Sequence, residues 1–390
     1  MKRHTITILM DVYDSRIHEG IARFVREREY NLVREMNYGL VHEMTVRRLE
    51  VALRAYDGLI VRQRFPYRES NLQPLLRRVR QPMVHLTPLS SGSAKCRVLE
   101  DNRGAGALVA RHFMERGFKR FAFVAQDISP HQEDRIAGFR DELNRYHFDA
   151  APFILAQARG LSWVQFLQKR LFRMKVPLAV LAVDDLIGAS VIRHATDADV
   201  AIPEAVAIAA VDNDHLVCDF TQVPLTSVDL NYEQQGWLAA QMLDGMLRGD
   251  RRSECAVTVP LGGIVARRSS QILAADDPRV TRALRFMWDR LEQPLRSSDV
   301  GDYVKTSRVT LDRLFTEEIG RTVKAELLRA RAMRVRELLA TSDAPASSLA
   351  AKAGFKTPQH MYRVFLQQTG MTTRDYRMRI EADAGLAGSG

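Results

Sequence analysis

Two apolar strands and the helix between them stand out in the stretch LAVLAVDDLIGASVIRHATDADVAIPEAVAIAAVDN, which covers residues 178–213. Residues 178–183 and 206–211 are uninterrupted apolar runs, and the segment between them places apolar side chains at helical spacing. Uninterrupted apolar strands that alternate with helices are typical of a parallel sheet covered by helices on both faces. The stretch therefore predicts an α/β domain.

The same alternation of strands and helices extends over residues 5–270. Further apolar strands are predicted at TITILM (5–10), DGLIV (57–61), PMVHL (82–86), RFAFVA (120–125) and APFILA (151–156). Helical patterns lie between them, as in RIHEGIARFVRERE (16–29). A single hydrophobic core does not grow to this size, so we expect two sheets and hence two lobes.

Several of the predicted strands end in a polar side chain. These residues are Asp11, Arg62, Asp101, Asp184 and Asp212. The carboxyl ends of strands in open α/β sheets are where ligands bind, so the five side chains are candidates for one site. Carboxylates accept hydrogen bonds from adjacent hydroxyl groups, and arginine donates to oxygen atoms. The set therefore favours a polyhydroxylated ligand.

These segments resemble the type I periplasmic-binding-protein fold in the form that sugar-responsive bacterial repressors use. The matching stretches include EDNRGAGALVARHFMERGFKRFAFVA (100–125), VLAVDDLIGASVIR (180–193) and PLTSVDLNYEQQGWLAAQMLDGML (224–247). The resemblance implies that sugar contacts fall on Asp101, Arg135, Asp184 and Asp212. Asp184 departs from the Asn that the family often has at its position.

The same resemblance implies how the first part of the chain is divided. The effector domain would span 1–272 as two lobes that close on the ligand. One lobe would comprise about 5–100 plus 230–255, and the other 101–229 plus 256–270.

The last quarter of the chain has a different character. Its apolar patterns are all helical, and residues 273–281 contain the turn-forming sequence DDP, which predicts a linker. Residues 282–379 contain 19 Lys and Arg against 11 Asp and Glu, so most of the chain's net charge of +10 lies here. A basic terminal module favours contact with a polyanion. We expect this domain to span 282–380, with a tail at 381–390.

Two helix-turn-helix units are predicted, at SSDVGDYVKTSRVTLDRLF (297–315) and ASSLAAKAGFKTPQHMYRVF (346–365). Gly354 suits the positive φ of a tight turn, and Thr357 followed by Pro358 suits the start of a helix. Arginine can read guanine, glutamine adenine and aspartate cytosine, whereas hydroxyls and lysine hold the DNA backbone. The candidates for DNA contact are Ser307, Arg308, Val309, Asp312, Arg313, Lys356, Thr357, Gln359, His360 and Arg363.

Both units resemble the DNA-binding domain of the AraC family over about residues 280–380. The resemblance rests on LDRLFTEEIGRTVKAELLRARAMRVRELLATSDAP (311–345) and AKAGFKTPQHMYRVFLQQTGMTTRDYR (351–377), at the family's spacing. Departures from the family pattern are Gly301, Tyr303, Lys305 and Thr373. A joining helix of roughly 30 Å, at about 1.5 Å per residue, would place the two recognition helices in successive major grooves.

The combination resembles the xylose-operon regulator type of transcription activator. The resemblance implies a homodimer that binds double-stranded DNA beside RNA polymerase and responds to a sugar effector, with a pentose such as xylose as the first choice. A repressor of the same architecture, or a regulator that senses another small molecule, is the alternative. An enzyme is disfavoured because no glycine-rich phosphate loop follows the first strand and no G-x-S-x-G is present.

The remaining features predict a cytoplasmic protein. No apolar run approaches the length of a membrane span, and MKRHTITILMDVYD (1–14) lacks the pattern of a signal peptide. Cys96, Cys218 and Cys255 are far apart and have no metal-site spacing. We therefore expect no disulfide, no metal, no cofactor and no membrane contact.

Overall fold

The structure is a computed structural model of the chain. It describes residues 3–10, 12–34, 53–63, 76, 78–87, 96–157, 160–249, 255–341 and 344–378. The candidate ligand residue Asp11 and the whole of the predicted tail, 381–390, lie outside these residues.

The first lobe is built on a six-stranded parallel sheet. Its strands, numbered in chain order, are β1 (Thr5–Met10), β2 (Asn31–Arg34), β3 (Gly58–Arg62), β4 (Met83–His85), β5 (Cys96–Glu100) and β11 (Cys255–Val259). They lie in the order β11-β5-β4-β3-β1-β2, and all the pairings are parallel.

The second lobe has a sheet of the same size. Its strands are β6 (Phe121–Ala125), β7 (Ala150–Ile154), β8 (Leu178–Ala182), β9 (Val206–Val211), β10 (Thr226–Asp229) and β12 (Gly263–Val265), in the order β12-β10-β9-β8-β6-β7. Only β12 runs antiparallel to its neighbour. One parallel and one mostly parallel sheet confirm the α/β class that the uninterrupted apolar strands predict.

The described helices of the lobes pack on these sheets. They are α1 (Ser15–Glu27), α2 (Asn102–Met114), α3 (Pro130–Asn144), α4 (Trp163–Lys169), α5 (Asp185–Asp197), α6 (His215–Cys218) and α7 (Tyr232–Leu247). α1 and α7 cross so closely that a Cβ added at Gly20 would lie 1.9 Å from the Glu233 carbonyl oxygen. Only glycine allows this approach, which brings the start of α7 to the cleft side of the first lobe.

The chain passes between the lobes three times. It leaves the first sheet after β5, returns after β10 into α7, and crosses again between β11 and β12. The last crossing follows Val259, four residues beyond the boundary predicted at 255, because Cys255–Val259 pairs in register with β5.

The C-terminal region is helical. Its helices are α8 (Pro278–Asp289), α9 (Ser297–Tyr303), α10 (Arg308–Ile319), α11 (Val323–Thr341), α12 (Leu349–Lys352) and α13 (Pro358–Thr369). α8 begins inside the predicted linker 273–281, and residues 273–275 are buried. The predicted linker is therefore packed against the protein along much of its length.

Two hydrophobic cores divide the helical region unequally. One cluster continues from the sheets into the first helix-turn-helix unit as far as Ala330, whereas residues between Ala332 and Phe365 form a separate cluster. α11 contributes to both clusters, since Leu327 lies in the first and Val335 in the second. The first unit is thus docked on the effector domain, and the second is carried by α11. Among the described residues, no helix is long and apolar enough to cross a membrane.

Candidate ligand cleft and nucleic-acid interface

Arg62, at the end of β3, is the most unusual side chain of the cleft. Its guanidinium is fully buried, with Nη2 3.6 Å from Glu100 Oε1 and Nη1 3.9 Å from Asp14 Oδ2. In the described part of the chain, none of its three nitrogens has a hydrogen-bond acceptor. Burying a cation without hydrogen bonds is costly, so the donors of Arg62 are suited to acceptors that a ligand brings.

Tyr232 lies between two arginines at the start of α7. The Arg62 guanidinium is 4.8 Å from the centre of its ring and the Arg16 guanidinium is 4.7 Å from it. The Tyr232 hydroxyl donates a 2.7 Å hydrogen bond to Asp212 Oδ1. The two guanidinium cations are attracted to the electron-rich face of the Tyr232 ring. The hydroxyl joins this first-lobe helix to a strand end of the second lobe.

Arg135 forms hydrogen bonds with the ends of two strands of the second lobe. It projects from α3, is fully buried, and donates to Asp212 Oδ1 at 2.8 Å, Asn102 Oδ1 at 2.8 Å and the Val183 carbonyl at 2.7 Å. Arg135 and Asp212, which the family resemblance places at one site, are therefore in direct contact. The ends of β8 and β9 are held together by this one side chain.

Asp101 and Asp184 have a role in the fold. Asp101 Oδ1 accepts a hydrogen bond from the Gly104 N–H at 2.8 Å, and Asp184 Oδ1 accepts one from the Ile187 N–H at 2.9 Å. Each carboxylate caps the helix that follows its strand, α2 and α5 respectively. Asp184 also accepts a hydrogen bond from Gln132 Nε2 at 2.9 Å. Capping accounts for these carboxylates before any ligand is considered.

Arg16, which the sequence does not single out, crosses the cleft. It lies in α1 of the first lobe, and its Nη1 donates to the carbonyls of Asp212 at 2.7 Å and Asn213 at 3.1 Å in the second. Asp14 fixes its other nitrogens at 2.8 and 3.1 Å. Burial alone would raise the pKa of Asp14, but Arg16, helped by Arg62, lowers it below the ordinary value. The pair is therefore charged, as a bridge between lobes requires.

Asp185 is a second residue that the sequence does not single out. Its carboxyl is buried and accepts hydrogen bonds from the Ser227 hydroxyl at 2.5 Å and the Asp214 N–H at 2.6 Å. Burial, with the charge of Asp212 as a further cause, raises the pKa of Asp185 to about 7. The only available signal was its position next to Asp184.

The first recognition helix, α10, presents its predicted contacts to solvent. Ser307 Oγ accepts from the Thr310 N–H at 3.2 Å and starts the helix, and Val309 is 81% exposed. Arg313 is exposed and lies 3.0 Å from Glu317, and Arg308 is exposed beside Asp312. Surface ion pairs of this kind are worth little, so both arginines can turn toward DNA at small cost.

Asp312 is engaged inside the helical domain. Its Oδ1 oxygen accepts a hydrogen bond of 3.0 Å from the Val323 N–H at the start of α11. Lys305, a departure from the family pattern, has a φ of 54° in the turn before α10. A non-glycine residue tolerates this left-handed conformation at some cost, so the turn keeps its shape without glycine.

The second recognition helix, α13, is presented in a similar way. Thr357 Oγ1 accepts from the His360 N–H at 3.3 Å, and Lys356, Gln359 and Arg363 are exposed. Burial and the positive charges of Arg363, Arg331 and Lys324 lower the pKa of the half-buried His360. A neutral imidazole carries both a donor and an acceptor, which suits a base edge.

Comparison with known proteins identifies both parts of the chain. Residues 110–270 match the model of a periplasmic binding protein-like domain, and residues 300–379 match that of a helix-turn-helix domain of the AraC type. These matches confirm the two resemblances that the sequence predicts.

Several regulatory proteins resemble the chain over much of its length. The xylose operon regulatory protein of Escherichia coli K12 is 23% identical over 394 residues, which cover 96% of this chain and 97% of that protein. The protein of the same name from Haemophilus influenzae is 23% identical over 287 residues, covering 72% and 74%. A solved structure of the xylose-binding transcription activator xylR matches with a TM-score of 0.67 at 21% identity, covering 97% and 98%.

Proposed function

We propose that this homologue of the xylose operon regulatory proteins is a sugar-responsive, sequence-specific DNA-binding transcription regulator. Its effector is a pentose, with xylose the first choice, and its target is the operon that uses that sugar. It acts as an activator. The observation that carries the ligand assignment is the buried guanidinium of Arg62, which has no hydrogen-bond acceptor among the residues that the structure describes.

The charges around Arg62 favour a neutral ligand rich in hydroxyl groups. Asp14 and Glu100 lie within 4 Å of the guanidinium, and Arg16 pairs with Asp14, so two arginines and two carboxylates balance in charge. This balanced group offers no net positive charge to attract an anionic ligand. A sugar offers oxygen lone pairs to Arg62 and hydroxyl protons to the carboxylates, so it satisfies both.

The cleft couples ligand binding to closure because its contacts come from both lobes. Arg16, Arg62 and Tyr232 belong to the first lobe, whereas Arg135 and Asp212 belong to the second. A ligand that touches both groups stabilises the closed state by the difference between its affinities for the closed and open states. Regulation requires no reaction at this site, and we assign none.

The helical domain supplies the DNA contacts. The exposed candidates on α10 and α13 lie on helices joined by α11, whose 19 residues span about 28 Å at 1.5 Å per residue. This is close to one turn of the DNA duplex, ~34 Å. We propose that the two helices read successive major grooves, that the protein acts as a homodimer, and that it binds beside RNA polymerase.

Titration calorimetry with xylose tests the ligand assignment. Arg62→Lys keeps the positive charge beside Asp14 and Glu100 but loses the planar fork of donors. We expect it to weaken xylose binding at least about tenfold, or ~1.4 kcal/mol. The control is Arg193→Lys on the exposed face of α5, which should leave the affinity unchanged. Unchanged xylose affinity in Arg62→Lys would refute the role of Arg62.

A thermal-shift panel tests the identity of the sugar. A ligand present at 100 times its dissociation constant adds about 2.7 kcal/mol to the stability of the folded protein. We expect xylose to raise the melting temperature more than other pentoses and hexoses. If only a hexose raised the melting temperature, the cleft would still be a sugar site, but the effector would not be a pentose.

A further inference from the structure

Residues 266–277, here called the connector, lead from the last strand of the effector domain to α8. Their polar groups are bonded closely to the second lobe. Thr226 Oγ1 accepts a 2.8 Å hydrogen bond from the Arg267 N–H and donates to its carbonyl at 2.9 Å. Ser269 Oγ donates to the Ile208 carbonyl at 2.7 Å. The start of the connector is therefore fixed to strands that end at the cleft.

Arg267 binds the connector to the segment that follows β9. Its Nε donates to Asp219 Oδ1 at 2.6 Å, and its Nη1 donates to Asn213 Oδ1 at 3.0 Å and to the Leu225 carbonyl at 3.0 Å. Three acceptors for one guanidinium define its position far better than a single surface ion pair would.

Asn213 is also held from the other side of the cleft. Asp212 and Asn213 have φ values of 121° and 46°, which are both in the region that favours glycine. Arg16 of the first lobe donates to the carbonyls of these two residues, whereas Arg267 donates to the Asn213 side chain. A strained two-residue turn is thus held between a residue of the opposite lobe and a residue of the connector.

The far end of the connector is packed against the DNA-binding domain. Residues 272–275 are buried, and the Ala274 N–H donates to the Arg116 carbonyl of the effector domain at 2.9 Å. The Asp276 N–H donates to Glu318 Oε2 of α10 at 2.7 Å. Movement of the connector would therefore reach the first recognition helix through packed contacts.

We propose that Arg267 is the positioning residue that couples closure of the cleft to the placement of the DNA-binding domain. When the lobes close, Arg16 bonds the 212–213 turn, and Arg267 passes the position of that turn to the connector. The neighbouring Arg268 lies 2.8 Å from Asp289 of α8, but both side chains are exposed, so this pair contributes little. The sensitivity to a sugar effector rests on the proposed function, whereas the mechanical link does not.

A double-mutant cycle without ligand tests the link, with hydrogen exchange of α8 and α10 as the measurement. Arg16→Ala removes the first-lobe hydrogen bonds to the two backbone carbonyls of the turn and leaves the Tyr232 hydroxyl bonded to Asp212. In the parent protein it should speed exchange in 278–289 and 308–319 by about fivefold or more, the low end of usual coupling between sites. In the Arg267→Ala background Arg16→Ala should add nothing, and in Arg267→Lys part of the effect should return. The proposal would be overturned if Arg16→Ala changed the exchange rates equally in both backgrounds, or changed them in neither.

Two further variants separate coupling from a general loss of structure. Arg268→Ala removes the adjacent exposed arginine and should leave the effect of Arg16→Ala at the parent value. Asn213→Gly removes the one side-chain acceptor that the turn offers to Arg267, and it relieves the positive φ. It should therefore abolish the effect of Arg16→Ala on exchange, even if Arg267→Ala folds poorly. If Arg16→Ala still speeds exchange in α8 and α10 in the Asn213→Gly background, the coupling does not pass through this turn.

The effector adds a separate measurement. The ratio of DNA affinities with and without xylose should approach 1 in Arg267→Ala and stay at the parent value in Arg268→Ala. If xylose leaves the DNA affinity of the parent unchanged, the proposed effector is wrong. The exchange cycle would still decide the role of Arg267.

Discussion

Asp312 and Val323 join the first recognition helix to the long helix that follows it. The Asp312 Oδ1 oxygen accepts a 3.0 Å hydrogen bond from the Val323 N–H. This N–H belongs to the first turn of α11, where backbone donors have no partner within the helix. The bond fixes the angle between α10 and the helix that carries the second unit. The carboxylate of Asp312 therefore has a structural role that does not depend on contact with a DNA base.

Replacing Asp312 distinguishes these two roles. Asp312→Ala should lower the free energy of unfolding by about 1 kcal/mol, the usual cost of losing an oxygen that caps a helix start. DNA affinity should fall by a similar factor on every sequence. Asp312→Asn keeps the acceptor and should restore both quantities. Denaturant unfolding and binding to a library of duplexes measure the outcome. A loss confined to one base pair would establish base reading instead.

Arg363 tests the second recognition helix. It is exposed on α13, next to the exposed Gln359 on the same face. Arg363→Ala should cost ~1–3 kcal/mol on the preferred duplex and relax the preference at one base pair. Lys352→Ala, which removes an exposed charge from α12, is the control and should weaken binding evenly across sequences. If Arg363→Ala weakens binding to all duplexes alike, Arg363 contacts the DNA backbone and not a base.

Gly354 tests the turn of the second unit. Its φ is 74°, and an added Cβ would lie 2.0 Å from the Leu291 carbonyl oxygen. Gly354→Ala should therefore destabilise the protein by more than the roughly 1–2 kcal/mol that the left-handed conformation costs alone. Gly370 is a matched control, because its φ is 72° and its Cβ would meet nothing within 4 Å. Denaturant unfolding measures the loss of stability in both variants. If Gly354→Ala and Gly370→Ala lower the free energy of unfolding equally, the close approach to Leu291 does not contribute to the cost.

The sequence predicted the sheets well because buried parallel strands are uninterrupted apolar runs, as in 178–183. The family resemblance also places Arg135 and Asp212 at one site, where they are in direct contact. The sequence missed Arg16 and Tyr232, since contacts across a cleft depend on how the lobes are placed by three crossings of the chain. The position of Asp101 and Asp184 at strand ends predicts a ligand site, but an acid that caps the next helix gives the same pattern.

The connector shows a different limit of sequence reading. DDP is typical of a turn, whereas in the structure Asp277 is the N-cap of α8 and Pro278 is its first residue. The four residues ILAA (272–275) before it lack any period, and this pattern favoured a linker. Their burial arises from two domains that meet on either side, and local sequence does not carry that information.

Asp185 makes stability depend on pH. Its pKa is about 7 in the folded protein, mainly through burial, against 3.8 for an ordinary aspartate. Below pH 4 the carboxyl is protonated in both states and contributes nothing. Between pH 4 and 7 only the unfolded chain loses the proton, so stability falls as the pH rises. The loss is complete above pH 7 and is at most about 4 kcal/mol, at 1.36 kcal/mol per unit of pKa.

Asp185→Asn should remove this slope, because an amide has no proton to release. The free energy of unfolding, measured by denaturant titration at intervals from pH 4 to pH 8, should become flatter in the variant. Its absolute stability can fall, since the amide NH2 group would face the Asp214 N–H or the Ser227 hydroxyl, which are both donors to Asp185. The change in slope is therefore the decisive quantity. Asp127→Asn alters an exposed carboxylate and should keep the parent slope. A parent slope that survives in Asp185→Asn would assign the pH dependence to another group.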